Sequence, residues 1–313
     1  MRTSIVALVS GLLVVGGLGP PGVAVAQEET CDGEPITIIS RGAPPWQELR
    51  YALVPGTTDV TVTDLRMDIT SALGGHTLMA MGTDMSFEME MTVVSVDADG
   101  VARLDVLLRD VSLDVGTMTM QGEAIDEQQR AEVDRTMEAL SRSMVGLTGW
   151  EVVDARGNVL SHGFDLPESA PDTVRQQLDQ SMTSTTCLPA GAVGVGASWS
   201  SRAVSNNGVI DAGGTSVTTV EAIDGKTVTL AMAIDMDIGE ALAASLAQAD
   251  GVEVTAIASS GTGEGHAVVD LGRVTTTARM DLSLDVDVAF EVEETPMDMT
   301  MDFDIVVESR PPG

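Results

Sequence analysis

The sequence predicts a mainly β fold, a β-rich α+β chain of long antiparallel strands in two related lobes with at least two helices packed on them. Three observations predict it: alternation with a period of two, Asp-Gly turns between alternating runs, and a repeat of that layout later in the chain. "DMSFEMEMTV" puts Met85, Phe87, Met89, Met91 and Val93 on one side and Ser86, Glu88, Glu90 and Thr92 on the other. That is the pattern of a strand with one wet face. "DADG", Asp97 to Gly100, reads as a turn, and "VARLDVLLRDVSLDV" then resumes the pattern. Its phase changes around Leu107 and Leu108, which predicts a bulge or bend. "VVSVDADGVARLDVLLRDVSLDVG" (93–116) and "VTTVEAIDGKTVTLAMAIDMDIG" (217–239) share one layout of strand, Asp-Gly turn, strand, aspartate-rich end and glycine. Asp224-Gly225 is a strong hairpin signal. Two copies imply a duplication, with a first lobe over 49–196 and a second over 197–313.

Between the copies the period lengthens. "DEQQRAEVDRTMEALSRSMVGL" carries Val133, Met137, Leu140, Met144 and Leu147 at helical spacing, with Asp126 and Gln129 placed for a capping box and Gly146 and Gly149 ending the helix. "WEVVDARGNVLSH" reads as a hairpin turning at Arg156-Gly157-Asn158. A second helix is expected after Pro171, with Val174, Leu178 and Met182 on one face, and a short third one in "GEALAASLAQADG". "SSGTGEGHAVVDLG" reads as a glycine-rich loop leading into a strand, its "GTGEG" a flexible turn.

The last segment is a long hairpin. Met280, Leu282, Leu284, Val286, Val288, Phe290 and Val292 alternate on even positions, and the phase flips to odd from Met297. A loop of Glu293 to Pro296 would set Val292 opposite Met297 and bring both apolar stripes to one face. That register also sets Asp285 opposite Asp304 and Asp287 opposite Asp302, and directly opposed like charges destabilise a strand pair. Either the register differs by two residues, or arginines on neighbouring strands or cations relieve the row.

The two ends of the chain and its charge bear on location. Arg2, the apolar run Ile5 to Leu18 and Ala24-Val25-Ala26 form a secretory signal over 1–26, so the mature chain is expected to be exported, to the extracellular space, envelope or periplasm. No other stretch is long and apolar enough to span a membrane as a helix. In an oxidising compartment Cys31 and Cys187 are expected to pair, tying residues 27–48 to mid-chain. In the chain-entropy model so long a loop contributes about 4–5 kcal/mol. There are 48 acidic and 16 basic residues, a formal net charge of −32, and Lys226 is the only lysine. Such a surface repels nucleic acid and anionic headgroups. Salt would relieve its self-repulsion, which suits salty or divalent-rich surroundings.

The candidate chemistry is sparse. Asp285, Asp287, Asp302 and Asp304 offer hard oxygen ligands to a divalent cation such as calcium, against the plainer reading of a solvated acidic face. Met-x-Met pairs on a strand lie about 7 Å apart on one face and could take a soft metal. Because Phe, Leu and Val share that face, core packing is the simpler account. The chain has only four Phe, three Trp and one Tyr, so its core must be built from Met, Val, Leu and Ala. Met is an adaptable filler of apolar surfaces. A curved sheet lined by Met85, Met89, Met91, Met297, Met299 and Met301 could therefore hold an apolar small molecule or lipid, unless helices fill the same face. Nothing in the motifs points to an enzyme or a cofactor. "GASWS" lacks the last glycine of a nucleophile elbow, and His76, His162 and His266 stand in no recognisable constellation.

"LRYALVPGTT", "MSFEMEMTVVSVDADG", "LPAGAVGVGASW" and "GHAVVDLGRVTTTARMDLSLDV" with "TPMDMTMDFDIVV" occur in an order that resembles an uncharacterised family of exported bacterial proteins, domain-of-unknown-function family 6263. The resemblance implies an exported, mainly β protein with mid-chain helices and brings no activity. In architecture the chain is more loosely similar to bacterial lipid-shuttling proteins that lay a half-barrel sheet over helices. The functional expectation is a non-catalytic exported binding or envelope-associated protein for an apolar ligand. The alternative is a structural or adhesive surface protein whose acidic faces take up cations.

Overall fold

The computed structural model describes residues 30–31, 34–165, 185–206, 211–237, 239, 252–292 and 295–313. Their strands form one 14-stranded antiparallel sheet. In chain order they are β1 (Thr30–Cys31), β2 (Glu34–Arg41), β3 (Thr58–Leu73), β4 (His76–Val96), β5 (Ala102–Met120), β6 (Glu123–Ala124), β7 (Thr148–Val153), β8 (Val159–Phe164), β9 (Ala197–Asn206), β10 (Asp211–Asp224), β11 (Thr227–Asp237), β12 (Val252–Asp270), β13 (Thr276–Val292) and β14 (Thr295–Arg310). The spatial order is β1-β2-β9-β10-β11-β12-β13-β14-β3-β4-β5-β7-β8, with β6 paired to β5.

The mainly β prediction holds, while the two expected lobes are halves of one sheet. The last strand, β14, pairs along its length with β3, from Met299 opposite Leu73 to Arg310 opposite Val62. A pair of open sheets would each present a free edge at this seam. Joining them gives the edge hydrogen bonds of β14 and β3 a partner. The predicted repeat units are the hairpins β4-β5 and β10-β11, set on either side of the seam.

One helix, α1 (Glu127–Met144), lies within the described residues. Its capping box is the predicted one: Asp126 Oδ1 accepts from Gln129 N at 2.8 Å, and Gln129 Oε1 accepts from Asp126 N at 3.2 Å. Gly146, at φ 84°, follows the C-terminal end. The helix runs beside β5 beyond the point where β7 stops pairing with it. Arg130 donates to the backbone carbonyls of Val115 and Gly116, and Gly146 N donates to Leu108 O at 2.8 Å. The helix thus covers an otherwise open strand edge. The signal segment, the helix expected after Pro171 and nearly all of the helix expected in 239–251 lie outside the described residues.

Two further expectations need correction. "SSGTGEGHAV" is an uninterrupted part of β12, not a loop. Gly261, Gly263 and Gly265 alternate with Thr262, Glu264 and His266, so they occupy the inward face of the strand. They are small because side chains of adjoining strands lean over them: a β-carbon on Gly263 would overlap Leu282, and one on Gly261 would meet Leu284 Cδ1 at 2.9 Å. In the final hairpin the register differs by two residues from the one expected. Phe290 faces Met297, Val288 faces Met299, Val286 faces Met301 and Leu284 faces Phe303. Both apolar stripes still share a face, because a shift of two preserves side-chain direction. The phase change in β5 is a bulge at Arg109: Glu88 faces Asp110 while Met89 faces Leu108.

Candidate functional site

Pairing across the sheet turns the single-strand stripes into an apolar surface. One row runs Leu284, Phe303, Ile69, Met81, Met118, and the next runs Val286, Met301, Ser71, Met79, Met120. Toward the strand ends follow Val288, Met299 and Leu73, then Phe290 and Met297. In the other direction lie Leu282, Ile305 and Met67, then Met280, Val307, Leu65 and Met85.

This inward face is covered unevenly. One flank packs Trp199, Val220, Leu230 and Val269 under Leu49, Tyr51, Leu188 and Val193, which come from the loop segments 42–57 and 185–196. The other packs Met91, Val93, Leu104, Val106 and Val153 with Val274. Leu49, Leu188 and Leu104 are fully buried. At the centre, Met67, Ile69, Met81, Val286, Val288, Met301 and Phe303 are buried, with Val133 and Met137 of α1 packed against them. Around that patch, Leu65, Leu73, Met79, Met280, Leu282, Phe290, Met297, Met299, Ile305 and Val307 are only half-buried among the described residues. No residue of α1 is buried, so the helix rests on the face without sealing it.

The six methionines singled out from the sequence do face inward but do not form one site. Met301 and Met299 belong to the central patch, with Met297 at its tip. Met91 and Met89 lie in the cluster near β7, and Met85 lies between the two groups. Leu65, which the single-strand reading did not single out, and Met280, Leu282 and Ile305, which it placed only on their own strands, complete the central surface. Their shared face follows only from strand order.

On the outward face, Asp285 lies opposite Asp302, whereas Asp287 faces Thr300 and Asp304 faces Ser283 on β13 and Asp68 on β3. The four aspartates named as a cation site are therefore strung along the ribbon. Among the described residues, no group of three or more His, Cys, Asp or Glu side chains converges to hold a metal ion. A shallow groove of about 740 Å³ crosses the same face between Asp64, Arg66, Asp84, Ser86, Asp114, Arg279 and Glu308. Several of its charges have partners: Asp64 accepts from Ser86 Oγ at 2.7 Å and from Arg310 Nη2 at 2.8 Å, and Arg279 Nη1 lies 3.8 Å from Glu308 Oε2. The hydrogen bonds from Arg279 hold the exposed Asp281 carboxyl below its usual range. His266 Nδ1 lies 3.5 Å from Glu221 Oε2 on the exposed surface.

Buried polar groups serve the fold. The Asp59 side chain is 1% exposed and accepts from Arg273 Nε at 2.7 Å and Val274 N at 3.2 Å, which ties β3 to the turn between β12 and β13. Burial pushes the Tyr51 hydroxyl up to about 12, and that hydroxyl lies 3.1 Å from both the N and the O of Thr186. Cys187 Sγ sits 3.2 Å from Asn158 Oδ1, and no free cysteine occurs among the described residues. No helix among them is long and apolar enough to cross a membrane.

No family profile and no curated protein matches the chain. Among solved structures, a lipovitellin structure titled for its lipid–protein interactions aligns over 83% of this chain at 10% identity and a TM-score of 0.38. The chain spans about a quarter of that protein's length, 26%. OccK5 of Pseudomonas aeruginosa aligns over 82% of this chain and 98% of its own at 9% identity and a TM-score of 0.19. The translocator domain of the autotransporter NalP of Neisseria meningitidis aligns over 82% and 88% at 8% identity and a TM-score of 0.15. Likenesses this distant carry no argument about function.

Proposed function

We propose that the chain is a non-catalytic, exported binding protein that holds an apolar ligand on the central inward face of its sheet. The observation that supports this reading is the contrast in cover. The two flanks of the face are sealed by loop side chains, whereas the buried central patch is ringed by half-buried Met, Leu, Ile, Val and Phe beside a helix with no buried residue. Half-buried apolar side chains left without a sealing layer suit a ligand that completes their burial. Methionine suits the role because its unbranched thioether conforms to ligands of varied shape. Export through the 1–26 signal, the likeness to the exported family and the Cys31–Cys187 bridge belong to the same reading.

Native mass spectrometry of protein purified without detergent tests it. The expected result is a co-purifying apolar species, displaced by excess dodecyl maltoside and lost in Met299→Glu, which sets a carboxylate in the middle of the face. A chain that carries no such species and takes up no alkyl probe would overturn the reading. Intact masses from the same sample, before and after reduction and alkylation, report whether Cys31 and Cys187 are paired.

A further inference from the structure

We infer that the ligand of this face is an uncharged lipid whose hydroxyl or carbonyl end seats on the Thr61, Thr63 and Ser309 side chains. The inference rests on the apolar-face reading above and adds the chemistry of the ligand. Strand pairing sets Thr63 opposite Ser309 and Phe87, and Ser309 opposite Ala278, in the inward row next to Leu65, Val307, Met280 and Met85. The apolar centre therefore runs into a hydroxyl-lined end on its own side of the sheet. Thr63 Oγ1 and Ser309 Oγ lie 3.0 Å apart, and both residues are half-buried. Whichever of the two donates, the other keeps an O–H to give. Two positions along β3 on the same side, Thr61 is 6% exposed, and its buried Oγ1 has no hydrogen-bond partner among the described residues. A buried hydroxyl without a partner is costly, and a ligand oxygen reaching it from the Thr63 side would supply one.

Charge is kept off this side. Over residues 61–73 of β3, 79–89 of β4, 278–290 of β13 and 297–309 of β14, every Asp, Glu and Arg stands at an outward position. The next inward carboxylate beyond Thr61 is Asp59, and Arg273 already holds it. A carboxylate, phosphate or ammonium head drawn onto the face would lose its water and meet no counter-charge. An alcohol or ester loses far less, and the hydroxyls replace what it loses.

The test loads the intact mature protein with diphenylhexatriene, a hydrocarbon reporter, and displaces it with probes of equal tail length, each below its micelle concentration. The probes are 1-decanol, decanoate and decyltrimethylammonium. In about 0.5 M salt, which screens the field of the acidic surface, 1-decanol is expected to displace the reporter at about tenfold or more lower concentration than either charged probe. The double variant Thr63→Val with Ser309→Ala removes both hydroxyls without stranding either partner, and should weaken 1-decanol about fivefold relative to diphenylhexatriene. Thr61→Val, which deletes the unpartnered hydroxyl, should weaken it in the same sense. A charged probe as effective as 1-decanol, or variants in which the alcohol keeps its strength relative to the reporter, overturns the inference and leaves the apolar-face reading standing. If diphenylhexatriene itself is not taken up, both fall together.

Discussion

Asp285 stands directly opposite Asp302 on the outward face of the β13–β14 ribbon. The opposition recurs across the sheet at Asp304 with Asp68, Asp84 with Asp114, Glu88 with Asp110 and Glu264 with Asp281. Like charges directly opposed on neighbouring strands destabilise by about 0.2–1 kcal/mol per pair. The wild-type melting temperature should therefore rise with salt. Asp302→Asn should stabilise the protein by about 0.5 kcal/mol at low ionic strength and by nearly nothing at about 1 M salt. Chemical denaturation of both proteins at two salt concentrations measures this, and equal stabilities at low salt would refute it.

The pair Asp59 and Arg273 should behave in the opposite way. Its carboxylate is buried and its guanidinium is 56% exposed. Arg273→Ala would leave Asp59 charged and buried with only the Val274 amide as partner. The expected loss is about 2–4 kcal/mol, below the full cost of breaking a wholly buried pair because water reaches the arginine side. Asp59→Asn, which removes the charge as well, should cost less. Urea midpoints of the two variants settle the order.

Acid should unpick the β7–β8 hairpin turn. Burial alone would raise the Asp154 carboxyl, but the Asn158 side chain, the Arg156 and Asn158 amides and the Arg156 charge outweigh it and hold it below its ordinary value of 3.8. The hydrogen bonds are 2.7 Å from Asn158 Nδ2, 2.7 Å from Arg156 N and 3.0 Å from Asn158 N. A carboxyl lowered by folding contributes stability that is fully present above its unfolded value and is lost as pH falls through its folded value. Asp154→Ala should therefore cost about 1–2 kcal/mol at pH 7, and its deficit against wild type should shrink below about pH 4. A deficit that stays constant down to pH 2.5 would exclude the mechanism.

Helix α1 should be the loosest ordered element beside the central face. Arg130 is its main polar tie to β5, through the Val115 and Gly116 carbonyls, with Asp114 at 3.8 Å. Arg130→Gln should speed amide exchange over residues 127–144 by about tenfold without altering that of β13 and β14. Exchange in the wild-type helix as slow as in the central strands would show that it is not a movable cover.

The alternation of Met, Val and Leu with Asp, Glu and Thr was enough to place the strands, because side-chain direction along a strand is a local property of period two. The capping box of α1, the 150–162 hairpin and the bulge near Leu108 were equally legible, since each is set by residues a few positions apart. Strand order was not. No local pattern shows that Met301 pairs with Ser71, and that long-range pairing makes one sheet of two halves. The glycines of β12 misled for the same reason. Read alone they signal a turn, whereas beside Leu282 and Leu284 they are the only residues small enough for the space. The sequence by itself determined which side chains are apolar, which are charged and on which face of its own strand each lies. Only the tertiary structure decided which apolar stripes are sealed by loops and which stay half-open, because cover is supplied by segments distant in the chain.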